Sequence, residues 1–175
     1  MKSFDRRFVK TEKAIQEAFI TLLKSYSYSE IGLEELCDEA DINKSTFYLH
    51  YQSIDMLASA LEDAFLFDFS KGLGDLSFTN DPSSFLKAIF LFAKSDKKRL
   101  SAIFKCYRYR FNEKIESFCR SYLPKNGKSK TETYLYRARI DSIVSLFRSV
   151  AKDGFRLSEG EFLEFCGRLL PEKGL

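Results

Sequence analysis

The chain has 175 residues, enough for one domain or two small ones with a real core. Hydrophobic residues make up 45% and charged residues 30%, the balance of a globular chain rather than a disordered one. The net charge is only +3, the first residues lack the apolar run of a secretory signal, and no apolar stretch approaches the ~18 residues of a membrane span, so a cytoplasmic protein is expected.

Eighteen Phe and nine Tyr stand beside three Val and three Pro, which favours helices over strands. The first predicted helix is marked by Phe8, Ile15, Ala18, Phe19, Leu22, Leu23 and Tyr26, which recur at three and four and share one face. A short second helix turns Leu33, Leu36, Cys37 and Ala40 inward. A tight turn at Asp41-Ile42-Asn43 follows, with Ile42 as an inward pin and Asn43 as the N-cap of a short third helix. Leu57, Leu61, Ala64 and Phe65 mark the fourth helix, and Gly72, Gly74 and Pro82 a break after it. Phe85, Ile89 and Phe92 lie about one turn apart and share a face. Beyond the break at Lys125-Asn126-Gly127-Lys128, Tyr136, Ile140, Ile143, Val144, Phe147 and Val150 form the cleanest stripe. After Gly154, the pair Ser158 and Glu161 is a capping box for a last helix carrying Phe162, Phe165, Cys166 and Leu169. The expected fold is all-α, with eight or nine helices.

A short helix, a three- or four-residue turn and a second short helix make a helix-turn-helix. The second helix begins with a cation and two hydroxyls, groups suited to base edges and phosphates. Phe47, and also Tyr51, anchor it to the core, which leaves Lys44, Ser45, Thr46, Tyr48 and His50 for nucleic acid. His50 has a second reading as a partly buried capping group. Upstream, Arg6, Arg7 and Lys10 form a cationic arm for backbone or minor-groove contacts.

Charge is unevenly spread. Residues 1–53 hold seven Lys/Arg against nine Asp/Glu, and residues 94–139 hold fourteen against four. Such a basic block is usually a set of solvated helix faces; its functional readings are a site for an anionic ligand or for nucleic-acid phosphates. The cysteines, Cys37, Cys106, Cys119 and Cys166, have no C-x-x-C pair, and His50 is the only histidine, so neither a metal site nor a cofactor is expected. Free buried thiols are the expectation, with a thiol sensor at Cys106 or Cys119 as the alternative because that segment is cationic. No catalytic constellation or phosphate-cradling glycine loop is present, which excludes an enzyme from the reading.

The run Ala40-Asp41-Ile42-Asn43-Lys44-Ser45-Thr46-Phe47-Tyr48-Leu49-His50-Tyr51, with Leu57 beyond it, resembles the N-terminal domain of TetR-family transcriptional regulators over roughly residues 7–60. The resemblance implies a three-helix DNA-binding head over 1–53 and a helical-bundle effector-binding and dimerisation domain over 54–175. It further implies a homodimer on pseudo-palindromic operator DNA, acting as a repressor and released by a small-molecule effector. In that architecture the last two helices carry the dimer interface, here Ile140, Ile143, Val144, Phe147, Phe162, Phe165 and Leu169. Helices four to seven enclose an effector pocket, with Phe65, Phe85, Ile89, Phe92, Cys106, Tyr107, Tyr109, Phe111 and Phe118 as candidates, although aromatics at helical spacing are more often plain core. Three positions depart from the family pattern. Asp41 stands for the turn glycine, Gly32 for the hydroxyl that opens the second helix, and Ile54 for a phosphate-contacting lysine. Gly32 then offers a phosphate only its backbone N–H, and weaker DNA affinity is expected. The alternative is a TetR-like co-regulator that binds a protein partner and has lost operator binding.

Overall fold

The computed structural model describes residues 6–76, 81–106, 113, 114, 117 and 129–169. Within them run eight bounded α-helices and no strand, matching the all-α expectation: α1 (Arg6–Ser25), α2 (Leu33–Glu39), α3 (Lys44–His50), α4 (Ile54–Leu73), α5 (Pro82–Ser95), α6 (Lys97–Cys106), α7 (Lys130–Lys152) and α8 (Glu159–Leu169). A single 3-10 turn, Tyr28–Glu30, links α1 to α2. The chain divides into two compact units, Met1–Ala64 with Ala102–Arg108, and Phe65–Ser101 with Tyr109–Leu175.

In the first unit, α1 buries Ile15, Ala18, Phe19 and Leu23 on one face and packs on α2. Tyr26, expected on the same stripe, is 52% exposed because α1 ends one residue earlier. Leu36, Cys37 and Ala40 are buried as expected, while Leu33 and Ile42 are half-buried. Leu57, Ala58 and Leu61 of α4, and Ala102, Ile103 and Cys106 of α6, are buried in the same unit. The C-terminal carbonyls of α1 have an added partner: Lys105 Nζ donates to Leu23 O at 2.5 Å and to Lys24 O at 3.4 Å.

The second unit is built largely of aromatic rings. Phe92 meets Phe65 edge-on at 5.5 Å and Phe69 at 5.2 Å, and the Arg99 guanidinium lies 5.4 Å over the Phe65 ring. A second cluster joins Phe90 to Phe162 at 5.0 Å and to Phe155 at 5.6 Å, where α5 packs on α8. Asp81 caps α5 by accepting from Ser84 N at 2.9 Å, and Pro82 takes the first helical position, where no N–H is needed. The capping box forms as expected: Ser158 N donates to Glu161 Oε2 at 2.8 Å and Glu161 N to Ser158 Oγ at 3.3 Å. Its serine holds the Glu161 carboxyl below the ordinary range. Between α7 and α8 the chain turns through two left-handed residues, Gly154 at φ 68 and Phe155 at φ 59. Phe155 carries a side chain there, and its ring is buried in the second cluster.

Candidate nucleic-acid interface

The turn between α2 and α3 requires one left-handed residue, and Asp41 supplies it at φ 52. Aspartate accepts that conformation more readily than most side chains, which accounts for its standing where the family pattern has glycine. Ile42 N then bonds back to Cys37 O at 3.0 Å, closing the turn. Asn43 caps α3: its Oδ1 accepts from Thr46 N at 2.8 Å, Thr46 Oγ1 at 2.9 Å and Ser45 Oγ at 2.6 Å. Both hydroxyls are therefore spent on the cap and must turn to reach DNA.

Phe47 is fully buried beneath α3, and helical spacing puts Lys44, Ser45, Tyr48 and Leu49 on the opposite side, within an arc of about 140°. All four are exposed, Tyr48 at 57% and Leu49 at 76%. Leu49 is absent from the candidates drawn from sequence, since an apolar side chain in an amphipathic pattern reads as core. The signal was its place one residue after Tyr48, on the side away from Phe47.

The end of α3 is tied to α1. The His50 ring stacks on Phe8 with centroids 3.9 Å apart and planes 26° apart, and its Nδ1 is buried with no hydrogen-bond partner among the described residues. Tyr51 is buried; it accepts from Gln16 Nε2 at 3.0 Å and donates to Glu12 Oε1 at 3.2 Å. Burial pushes its phenol up to about 12, only partly opposed by the Gln16 bond. His50 is thus half-buried against an aromatic ring rather than standing open beside the helix.

Acidic groups crowd the other polar candidates. Lys44 Nζ is ion-paired with Glu34 Oε2 of α2 at 3.2 Å. At the start of α2, Gly32 provides no side-chain cap, and the Glu35 carboxylate folds over it, where an added Cβ would collide. A depression of about 520 Å³ at the turn is lined by Cys37, Asp38, Asp41, Ile42, Asn43 and Thr46, and its two carboxylates make it unsuited to a phosphate. Arg6, Arg7 and Lys10 are exposed on the first turns of α1. Ile54 is half-buried at the start of α4, where Ser53 Oγ caps the helix by accepting from Met56 N at 3.1 Å.

The described effector candidates are divided between the two units. Phe65, Phe85, Ile89 and Phe92 belong to the second unit, the first three buried and Phe92 half-buried. Cys106 belongs to the first. Tyr107, Tyr109, Phe111 and Phe118 lie outside the described residues, as do Cys119 and most of the basic block from 107 to 128. Burial pushes the Cys106 thiol up to about 12, with the Glu62 carboxylate adding to the rise, so the cationic setting that sequence suggested does not activate it. Cys37 and Cys166 are likewise free and buried. Within the basic block, Arg99 bridges Asp68 at 2.9 Å and Asp96 at 3.3 Å, and Lys94 lies over the Phe90 ring. With Lys105, which donates from α6 to the last carbonyls of α1, these cations serve the fold.

Of the dimer candidates, Phe162 is fully buried in its own chain, and Ile143 and Phe147 are 7% exposed. Val144 and Leu169 are half-buried, Phe165 is 47% exposed, and the Ile140 side chain lies outside the described residues. Leu135 and Tyr134 add exposed apolar surface on α7, at 50% and 68%. Among the described residues no group of His, Cys, Asp or Glu is placed to hold a metal, and no helix is long and apolar enough to cross a membrane.

No family model matches the chain. A stretch of 61 residues is 33% identical to the uncharacterized HTH-type transcriptional regulator YxbF of Bacillus subtilis (strain 168), covering 34% of this chain but only 16% of that protein. Among solved structures, a TetR transcriptional regulator from Streptococcus agalactiae 2603V superposes with a TM-score of 0.68 at 21% identity, over 93% of this chain and 94% of that one. The fold is that of TetR regulators. A second solved structure, the dihydroxyacetone kinase operon activator DhaS, gives a TM-score of 0.53 at 18% identity, over 92% of both chains. The TetR fold thus extends through both units, well past the helix-turn-helix that sequence motifs reach.

Proposed function

We propose that the chain is a TetR-family transcriptional regulator that binds operator DNA through α2 and α3, as a homodimer, and leaves it when an effector binds. The observation that carries this reading is the closed turn at Asp41 beneath an α3 whose outer face is wholly exposed and chemically mixed. Lys44 and Ser45 supply a cation and a hydroxyl for base edges or phosphates, Tyr48 a phenol for phosphate oxygens, and Thr46 a second hydroxyl at the cap. Arg6, Arg7 and Lys10 add backbone contacts. His50 and Gly32 keep their proposed phosphate roles only at the cost of moving Phe8 and Glu35.

In a dimer the two α3 helices must enter successive major grooves about 34–36 Å apart, or at a related spacing. An effector that favours a bundle with another spacing shifts the population off DNA, and a coupling on the order of 1–3 kcal/mol is enough. Exposed Leu135 and Phe165 support the last two helices as the dimer face. The direction of control is repression in this reading, although DhaS, which shares the fold, is described as an activator. Catalysis is not part of the proposal, and a cytoplasmic location is.

A specific observation favours the second reading, a co-regulator without operator binding. The first cation of α3 is already neutralised by Glu34, and Ile54 leaves the start of α4 without a cation. Selection of bound genomic DNA fragments by the purified protein across a salt series separates the two. A recovered palindrome with a steep salt dependence supports the regulator. Recovery of no sequence supports the co-regulator and directs the search to a protein partner.

A further inference from the structure

Leu49 is the most exposed large apolar side chain among the described residues, at 76%. It contributes nothing to holding α3 in place, since Phe47 and Tyr51 are the buried anchors of that helix. Its neighbours on the outer face, Lys44, Ser45 and Tyr48, all carry polar heads that water serves well. Leu49 alone gains from being covered. Resting on the operator-binding proposal above, we propose that Leu49 reads a thymine through the 5-methyl group in the major groove.

The argument is one of chemical matching. Each base-pair edge in the major groove presents donors and acceptors, and the thymine methyl is its one apolar group. A face holding a cation, a hydroxyl, a phenol and one isolated leucine matches such an edge position by position. An apolar groove on a protein would call for a second apolar residue one turn away on that face. Ser45, one turn before Leu49 on that face, holds the place instead. Lys44, on the same side of the helix, suits the guanine acceptors or a phosphate next to the methyl.

The test uses the full chain and the operator recovered by selection. Each thymine in turn is replaced by deoxyuridine, which keeps every hydrogen bond and lacks only the methyl. One position in each half-site should lose about fourfold in affinity with the unaltered protein, the worth of one buried methyl group. Leu49→Ala should bind the thymine duplex more weakly by a similar factor for each half-site and be indifferent to the uracil change, while Leu49→Met keeps the sensitivity. A repeated selection with Leu49→Ala should lose the thymine preference at that position. Because the side chain is exposed, the variant's thermal melt should match the parent's. If an operator is recovered but no thymine matters, or Leu49→Ala stays as sensitive as the parent, the inference is overturned while DNA binding stands, and Leu49 faces a protein. If selection recovers no sequence, the operator reading itself fails and this one with it.

Discussion

Replacing Glu34 by Gln removes the carboxylate that holds Lys44 at 3.2 Å without changing the side chain's size. Both partners are well exposed, at 54% and 75%, so the pair is worth roughly 0.2–1 kcal/mol in the free protein. That is the amount DNA must offset before Lys44 can turn to a base or phosphate. E34Q should therefore raise operator affinity by about 1.4- to 5-fold per head, that same energy expressed as a ratio. If the freed amine takes a phosphate, the slope of log K against log salt should steepen by about 0.9 per head. The assay is fluorescence anisotropy on the selected operator and on a scrambled duplex, over a series of salt concentrations. Because the lost charge also lowers general repulsion, the comparison needs a Lys44→Ala background, where E34Q should gain less. Equal gains in both backgrounds, or no gain in either, would refute the view that Glu34 restrains Lys44.

Three further outcomes are expected. Lys105→Met keeps the aliphatic stem but removes the donor to Leu23 O and Lys24 O, and should cost about 1 kcal/mol; an unchanged denaturant midpoint would show that water replaces the amine without loss. Tyr51 has its folded pKa raised to about 12 by burial, above the ~10 of an unfolded tyrosine, so its share of stability is whole below pH ~10 and lost as pH rises toward ~12. An alkaline melting series on Tyr51→Phe should fall less steeply in that window than the parent, and parallel curves would contradict the assignment. Charged residues at Leu135 and Phe165, exposed at 50% and 47%, should halve the mass seen by light scattering if the last two helices form the dimer face; a dimer of unchanged mass would move the interface elsewhere.

Local chemistry was readable in the sequence wherever neighbours in the chain satisfy one another. Asn43 as cap, Asp41 as the left-handed turn residue and the Ser158–Glu161 box all depend on residues within three or four positions, and all formed. Contacts made across the fold were not readable. Glu34 and Lys44 lie ten residues apart on different helices, and nothing in either helix's own pattern couples them. Arg99 belongs to a basic block that reads from sequence as solvated helix faces, whereas its partner Asp68 lies 31 residues away in the chain. Hydrophobic periodicity likewise marks that a face is apolar without saying what covers it. It therefore grouped Phe162, fully buried, with Phe165, nearly half exposed.

The bond from Lys105 to Leu23 spans 82 residues, and Ala102, Ile103 and Cys106 are buried in the same unit as α1 to α3. During synthesis, then, the helix-turn-helix leaves the ribosome well before the segment that completes its unit. The surface that Ala102, Ile103 and Cys106 help to bury waits through the translation of some forty intervening residues, a delay of a few seconds at usual elongation rates. The compact unit that holds the helix-turn-helix thus includes Ala102–Arg108 as well as Met1–Ala64. A fragment ending short of residue 102 would leave the last carbonyls of α1 without Lys105 and expose part of the core, and a nascent chain paused there is one that chaperones would find.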